Sequence, residues 1–486
     1  MNRTVDVLVV GGGPAGLAAA ARLAAAGAGR VEVLEREEAA GGVPRHCGRA
    51  GFGAYTGPEY ARRAVAEAVR AGAVVRTGAG ATGWAGPLVD VLPVGPGQGA
   101  ASGAGDGTAE DRRAGRRPAE DRTARHRPAE DRTARHRPAE DRTVGRRTAE
   151  DAVLGAGGPA SSVGHPLALE VTAPTGLERI TARAVVLATG ARERPRSARL
   201  VPGSRPAGVL STGELQQSVE LFGLRGERIG RRAVVVGSEP VARHAVGTLR
   251  RAGVAVVAVV ADRADGARLP CPVLRGATVL ELVGRARLSG LVVRAADDRT
   301  RLLRCDTVVF TGDWLPDHEL ARSGGVPLDP ATRGPSVDPA LRTPVPGVFA
   351  AGNLLRGVEP AVVAAAEGRA VATAVLAHLA GAAWPEPGPA LLAAGSLRWV
   401  TPGRLSACGA SASVPTLSLR PSERLVHPTL TVTQDDRLLY RRRLPARLEP
   451  HRSLRHAAAW AAGADPAAGA VTVRMEADRT VSWAGR

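Results

Sequence analysis

Lysine is absent from all 486 residues, so the formal charge of +18, from 65 basic against 47 acidic side chains, is carried by arginine alone. That absence excludes Schiff-base catalysis and a P-loop lysine. Asn and Ile occur only twice each, a bias that goes with a GC-rich genome and makes part of the arginine excess a codon effect. Cysteine is nearly as scarce. Cys47, Cys271, Cys305 and Cys408 are too few and too widely spaced for a disulphide framework. Without a CxxC pair, a zinc ribbon, a local iron–sulfur cluster and a dithiol centre are not expected, and no metal site is assigned. The pattern fits a cytoplasmic chain. Aromatic residues make up 3%, which leaves few platforms for stacking single-stranded bases, so nucleic acid is not expected as a partner. No run of eighteen strongly apolar residues occurs, so a membrane span is not expected. The uncharged stretch Val7–Ala21 superficially resembles a signal-peptide core. However, Asp6 precedes it, and Gly11, Gly12, Gly13, Pro14 and Gly16 would break its helix.

The rest of the composition is that of a globular protein, with 44% hydrophobic and 23% charged residues. The length exceeds the roughly 250–300 residues at which one core stops growing, which implies two or three domains. An apolar strand at Val5–Val10, a glycine turn, a helix over Pro14–Ala26 and a second strand at Val31–Leu34 open the chain. From about Ala109 to Glu150 a ten-residue unit, AEDRTARHRP or a close variant, repeats, with thirteen Arg against nine acidic residues over Thr108–Glu150. Each unit lacks an apolar stripe and offsets its arginines with Glu-Asp. It therefore reads as a disordered insertion rather than a helix or a nucleic-acid arm. A second strand–glycine–helix unit covers Arg232–Gly253, and a long helix runs from about Pro360 to Leu379. WPEPGP, residues 384–389, reads as a linker to a terminal region of short alternating runs.

Gly11, Gly13 and Gly16 form GxGxxG between the first strand and its helix, with Pro14 and Ala15 inside the motif. The first glycine permits the tight turn, the second lets the backbone approach a pyrophosphate, and the third lets helix and strand pack closely. Glu35 ends the second strand, where a carboxylate accepts hydrogen bonds from an adenosine ribose and would repel a 2′-phosphate. Dinucleotide binding follows, with Arg36 beside the acid. The second motif is degenerate. Gly237-Ser238-Glu239-Pro240-Val241-Ala242 keeps the first glycine and a small sixth residue, but Glu239 replaces the middle glycine and would crowd and repel a pyrophosphate. NAD(P)H use at this site is left open.

Three segments resemble the two-dinucleotide-domain flavoproteins of the pyridine-nucleotide–disulfide reductase superfamily: the start through Gly41-Gly42, Ala188-Thr189-Gly190-Ala191, and Gly347–Asn353. The resemblance implies FAD, with Gly42 among the residues that bind it and Thr189 and Gly190 closing over it. Gly352 and Asn353 would approach the flavin end, where the superfamily usually has Asp for Asn353. More narrowly, Gly41–Gly48 (GGVPRHCG), Ala191–Pro195, Pro206–Gln217 (PAGVLSTGELQQ) and Gly352–Glu359 are similar to the FAD-binding subunits of opine oxidase and hydrogen cyanide synthase. That likeness implies an electron-transfer subunit whose partner oxidises the amine. His46 and Cys47 are the flavin-proximal candidates: His46 for proton relay or as a histidine packed by its neighbours, and Cys47, which lacks the nearby mate that disulphide reductases carry, as a structural or flavin-flanking thiol ahead of thiol chemistry.

The expected fold is α/β, with two Rossmann-like dinucleotide-binding domains, the second inserted in the first, and a small β-rich C-terminal domain. The boundaries are FAD-domain parts at 1–86, 166–228 and 323–383, the repeat insertion at 87–165, a nicotinamide-type domain at 229–322, the linker at 384–389 and the terminal domain at 390–486. The expected function is that of an FAD-dependent oxidoreductase, the flavin subunit of an amine or amino-acid (opine-like) dehydrogenase, exchanging electrons with a small-molecule substrate or carrier and a partner oxidase subunit. The alternative is a self-sufficient NAD(P)H-dependent flavin reductase.

Overall fold

The computed structural model describes residues 2–48, 50–86, 167–262, 269–357, 359–406 and 414–477. The repeat insertion expected at 87–165, and Cys408, lie outside the described residues. The first sheet has seven strands. Its parallel part places 74–76, 31–34, 2–10 and 176–187 side by side, and 348–350 pairs with 176–187. The chain thus leaves this sheet after Leu187 and returns to it at Val348, which is the split that an inserted domain requires. Val7, Leu8 and Val9 are wholly buried although adjacent side chains point to opposite faces, so both faces of that strand are covered.

Helix α1 (Pro14–Ala25) begins with proline at its first turn, where no N–H is needed, and closes on Gly27 at φ 75° with Ala28 N–H donating back to Leu23 O. Helix α2 (Gly57–Arg70) is started by the Glu59 carboxylate, which accepts the Thr56 N–H at 2.8 Å. The second domain repeats the layout. Its parallel sheet runs 209–211, 307–310, 232–236, 255–261, 273–275, with an antiparallel sheet of 278–284, 288–294 and 300–303 beside it. It carries α3 (Thr212–Gln216), prolonged by a π-helical turn at Gln217–Leu221, and α4 (Pro240–Arg251). The short α5 (Glu319–Ser323) and the long α6 (Ala361–Leu379) belong to the return into the first domain.

Among the described residues α6 is the one helix long and apolar enough to cross a membrane by length and composition. Its Ala364, Gly368, Val371, Ala372 and Val375 are buried, and a side chain at Gly368 would overlap the backbone oxygen of Ala15 in α1. It is a core helix.

The terminal region is β-rich. Its five-stranded sheet runs 404–406, 387–395, 471–476, 429–434, 437–443. The alternation of its strands puts Leu430, Val432, Val471, Val473 and Met475 into a core of its own. Arg441, Arg442 and Arg443 lie exposed on the edge strand, where charge discourages pairing with another chain. The linker expected at 384–389 is shorter than its composition suggests. Trp384 packs edge-on against Phe349 and His378 of the first domain, at 5.1 and 5.3 Å between centroids, and a strand begins at Pro387. Proline and glycine marked a boundary, but the aromatic ring anchors it.

Candidate dinucleotide and flavin site

Strand register assembles the site. Val10 pairs with Leu34 and with Leu187, and Leu187 pairs with Ala350, so four strands end level at one edge of the sheet. Gly11, Glu35, Ala188 and Ala351 follow them, at the carboxyl ends where open α/β sheets bind ligands. Gly11 has φ 109°, and a side chain there would overlap the Ala188 carbonyl; one at Gly16 would overlap the Gly11 carbonyl. Gly13 differs. A Cβ there would have Gly42 Cα, at 4.0 Å, as its nearest neighbour, and Gly190 faces open space. The loop is therefore tight where it must pack and open along the side a phosphate would approach, which fits a dinucleotide such as FAD. Pro14 and Ala15 open α1 directly behind it.

Glu35 is buried, and its two oxygens accept N–H groups from Gly12 (3.1 Å) and Glu37 (3.0 Å). Burial pushes its carboxyl above the usual range, against those two bonds. Arg36 is exposed and reaches Asp317 at 3.5 Å. The Thr189 hydroxyl donates to Asp317 O at 2.8 Å. Asn353 clasps the Glu359 backbone. Nδ2 donates to Glu359 O at 3.1 Å and Oδ1 accepts Glu359 N–H at 2.9 Å. The two bonds close the turn ahead of α6.

His46 and Cys47 meet α3 and its π-helical extension. Widening the helix there brings two consecutive glutamines to one turn: the Cys47 thiol faces Gln216 Oε1 at 3.6 Å, and His46 Nε2 lies 3.5 Å from Gln217 Nε2. His46 is buried, its Nδ1 has no hydrogen-bond partner among the described residues, and burial lowers its pKa, which favours the neutral ring. Burial, with the Glu220 carboxylate nearby, pushes the Cys47 thiol up to about 11. Cys47, Cys271 and Cys305 are all free. A nucleophile needs the thiolate and this environment disfavours it, which favours a structural or flavin-flanking thiol over a reactive one. Alkylation by iodoacetamide at pH 8, followed residue by residue by mass spectrometry, should modify Cys47 about a hundredfold more slowly than a free thiol with a pKa near 8.5. Labelling at the free-thiol rate would favour the reactive role instead.

The second loop repeats the first. Val236 pairs with Phe310 and Val260, and a side chain at Gly237 (φ 144°) would overlap Thr311 Oγ1. Pro240 opens α4, and Ala242 is buried at the third-glycine position. Glu239 caps that helix, its carboxylate beside Gly312, where a Cβ would lie 2.6 Å from Oε2. It also lies within electrostatic reach of Arg199 and Arg420. A carboxylate thus stands where the first loop has the open face of Gly13.

Sequence reasoning missed several partners. Asp262 follows the strand 255–261, 25 residues beyond Gly237 as Glu35 is 24 beyond Gly11, and accepts the Ser238 hydroxyl at 2.7 Å; that spacing was visible. Buried Glu193 accepts N–H groups from Gly213 (2.9 Å) and Gly312 (3.0 Å), tying the second domain to the strand that leaves the first.

Residues 9–69 match the NAD(P)-binding Rossmann-like domain family, and residues 272–368 match the pyridine nucleotide-disulphide oxidoreductase family. No curated protein matches the chain in sequence. Among solved structures, the thioredoxin reductase of Lactococcus lactis is 16% identical, with a TM-score of 0.51 over 77% of this chain and 99% of that one. The thioredoxin reductase of T. acidophilum is 18% identical, also at 0.51, over 77% and 98%. An L-proline dehydrogenase chain from P. horikoshii is 17% identical at 0.51 over 78% of this chain, which spans only 56% of that one. At such identity the likeness is one of fold. The chain thus has a thioredoxin-reductase-like fold; its residues 272–368 match the pyridine nucleotide-disulphide oxidoreductase family and its residues 9–69 a Rossmann-like one, and on those matches it is an oxidoreductase.

Proposed function

We propose that this oxidoreductase binds FAD and serves as the flavin subunit of an amine or amino-acid (opine-like) dehydrogenase, receiving electrons through a partner oxidase subunit or a small carrier. Gly11, Gly13, Pro14, Ala15, Gly16, Glu35, Arg36 and Gly42 hold the ADP half in this reading, Thr189 and Gly190 cover it, and Gly352 and Asn353 border the flavin end. FAD, when bound, supplies the hydride and electron chemistry. The protein orients it, and buried His46, whose surroundings favour the neutral ring, accepts a proton and returns it.

The observation that carries the reading is the Glu239 carboxylate beside Gly312 in the second loop. A nicotinamide dinucleotide would have to seat its pyrophosphate against that anion, so reducing equivalents are best supplied from elsewhere. Asp262 favours the second reading, a self-sufficient NAD(P)H-dependent reductase, because it retains the ribose-binding acid.

An anaerobic titration of the FAD-reconstituted chain with NADH and then NADPH decides between them. The expected result is a bound flavin that both nucleotides leave oxidised. Rapid bleaching by either would establish the reductase reading, and a chain that takes up no flavin would remove the FAD assignment altogether.

A further inference from the structure

The C-terminal β domain carries no dinucleotide motif, yet its buried charges reach the turn between Ala350 and α6. That turn borders the first glycine loop: a Cβ on Gly352 would lie 2.6 Å from Ala15 Cβ. It is held along its length. Gly352 N–H donates to Glu367 Oε2 at 3.1 Å, and Asn353 clasps the Glu359 backbone. Arg356 is 2% exposed, pairs with Glu367, and has its Nε 3.7 Å from Glu359 Oε1. From the terminal domain, Arg420 Nη2 meets the same Glu359 oxygen at 3.1 Å, and the Ser453 hydroxyl donates to it as well. The Trp399 ring receives both guanidiniums, whose central carbons lie 5.6 Å (Arg356) and 5.2 Å (Arg420) from its centroid.

Docking alone does not require this. Buried ion pairs lose in desolvation much of what they gain in attraction, and apolar residues of similar size would hold two domains together at least as well. Here the charges converge on one carboxylate, and that carboxylate belongs to the residue whose backbone fixes Asn353.

We propose that the C-terminal β domain completes the flavin site: Arg420, acting through Glu359, is a positioning residue that sets the Asn353 turn and the charge balance at the start of α6. The proposal rests on the FAD reading above and assigns the terminal domain a part in it. The two charges should then act in opposite directions. Arg420→Gln removes a positive charge and moves the flavin midpoint potential negative, whereas Glu359→Gln removes a negative charge and moves it positive. A merely structural role would make both variants less stable and leave the potential where it was.

The test uses the full-length chain reconstituted with FAD and reads FAD affinity, midpoint potential by equilibration with a redox dye, and thermal midpoint without FAD. R420Q should weaken FAD binding about tenfold, the weight of one charge-assisted hydrogen bond. R420K keeps the charge and should retain the wild-type potential while losing part of the affinity. Ser453→Ala removes one hydrogen bond to Glu359 and no charge, so it remains informative if R420Q fails to fold; it should weaken FAD binding about two- to threefold. Unchanged potential and affinity in R420Q and E359Q, with only the thermal midpoint lowered, overturns the proposal. So does wild-type affinity in both R420K and S453A. A wild-type chain that binds no FAD overturns the FAD reading as well, which separates that failure from the others.

Discussion

Gly13→Glu abolishes FAD uptake and leaves the fold standing. Gly13 is the N-cap of α1 at φ −85° and ψ −173°, a conformation open to any L-residue, and a Cβ there meets nothing closer than Gly42 Cα at 4.0 Å. The protein therefore accepts the side chain. The ligand does not, because the substitution recreates in the first loop what Glu239 does in the second. Two negative charges about 4 Å apart at an effective dielectric near 20 repel by about 4 kcal/mol, which is close to a thousandfold in affinity. Flavin absorbance after reconstitution and desalting reads the loss, and circular dichroism with thermal melting reads the fold. Retained flavin would mean that the cofactor does not lie across this loop.

A second large effect is expected at the crossing of α1 and α6, this time on stability. Gly368 is the point of closest approach, because any Cβ there overlaps the Ala15 backbone oxygen, and a carbonyl in mid-crossing cannot swing aside as a side-chain tip can. Gly368→Leu must separate the helices, opening contacts along Val371, Ala372 and Val375 and shifting the start of α1 behind the glycine loop. We expect a loss of about 3 kcal/mol or more, at the upper end for overpacking. Urea unfolding of the apo chain measures it, and an unchanged midpoint would refute the crossing as described. Gly368→Ala should fall between wild type and Leu.

Both predictions concern features of unequal visibility in the sequence. The first glycine loop was legible because each of its glycines answers a local demand of turn, approach or packing, and because Glu35 ends the next strand at the expected distance. Asp262 obeys the same spacing, and was missed because the second motif was followed only as far as its degenerate loop. The environment of Cys47 had no local signal: Gln216 is 169 positions away and arrives through the π-helical turn. The Arg420–Glu359 pair joins residues 61 positions apart in different domains, and burial, which makes those charges consequential, is a tertiary property. The α/β class and the β-rich terminus could be read from periodicity alone. Trp384 could not, since one aromatic ring in a Pro/Gly segment looks like any other linker residue until its neighbours are known.

The two glycine loops bear also on mutational distance. Around Glu239 the second loop keeps a positive-φ glycine, a helix-opening proline, a small sixth residue and a strand-terminal acid tied back to the loop. Every glutamate codon becomes a glycine codon by one A-to-G change at its second base. The stereochemistry of a dinucleotide loop is therefore one transition away, on a domain already folded to present it. If the FAD reading above holds, acquiring a second nucleotide would require no new architecture, only the loss of one carboxylate.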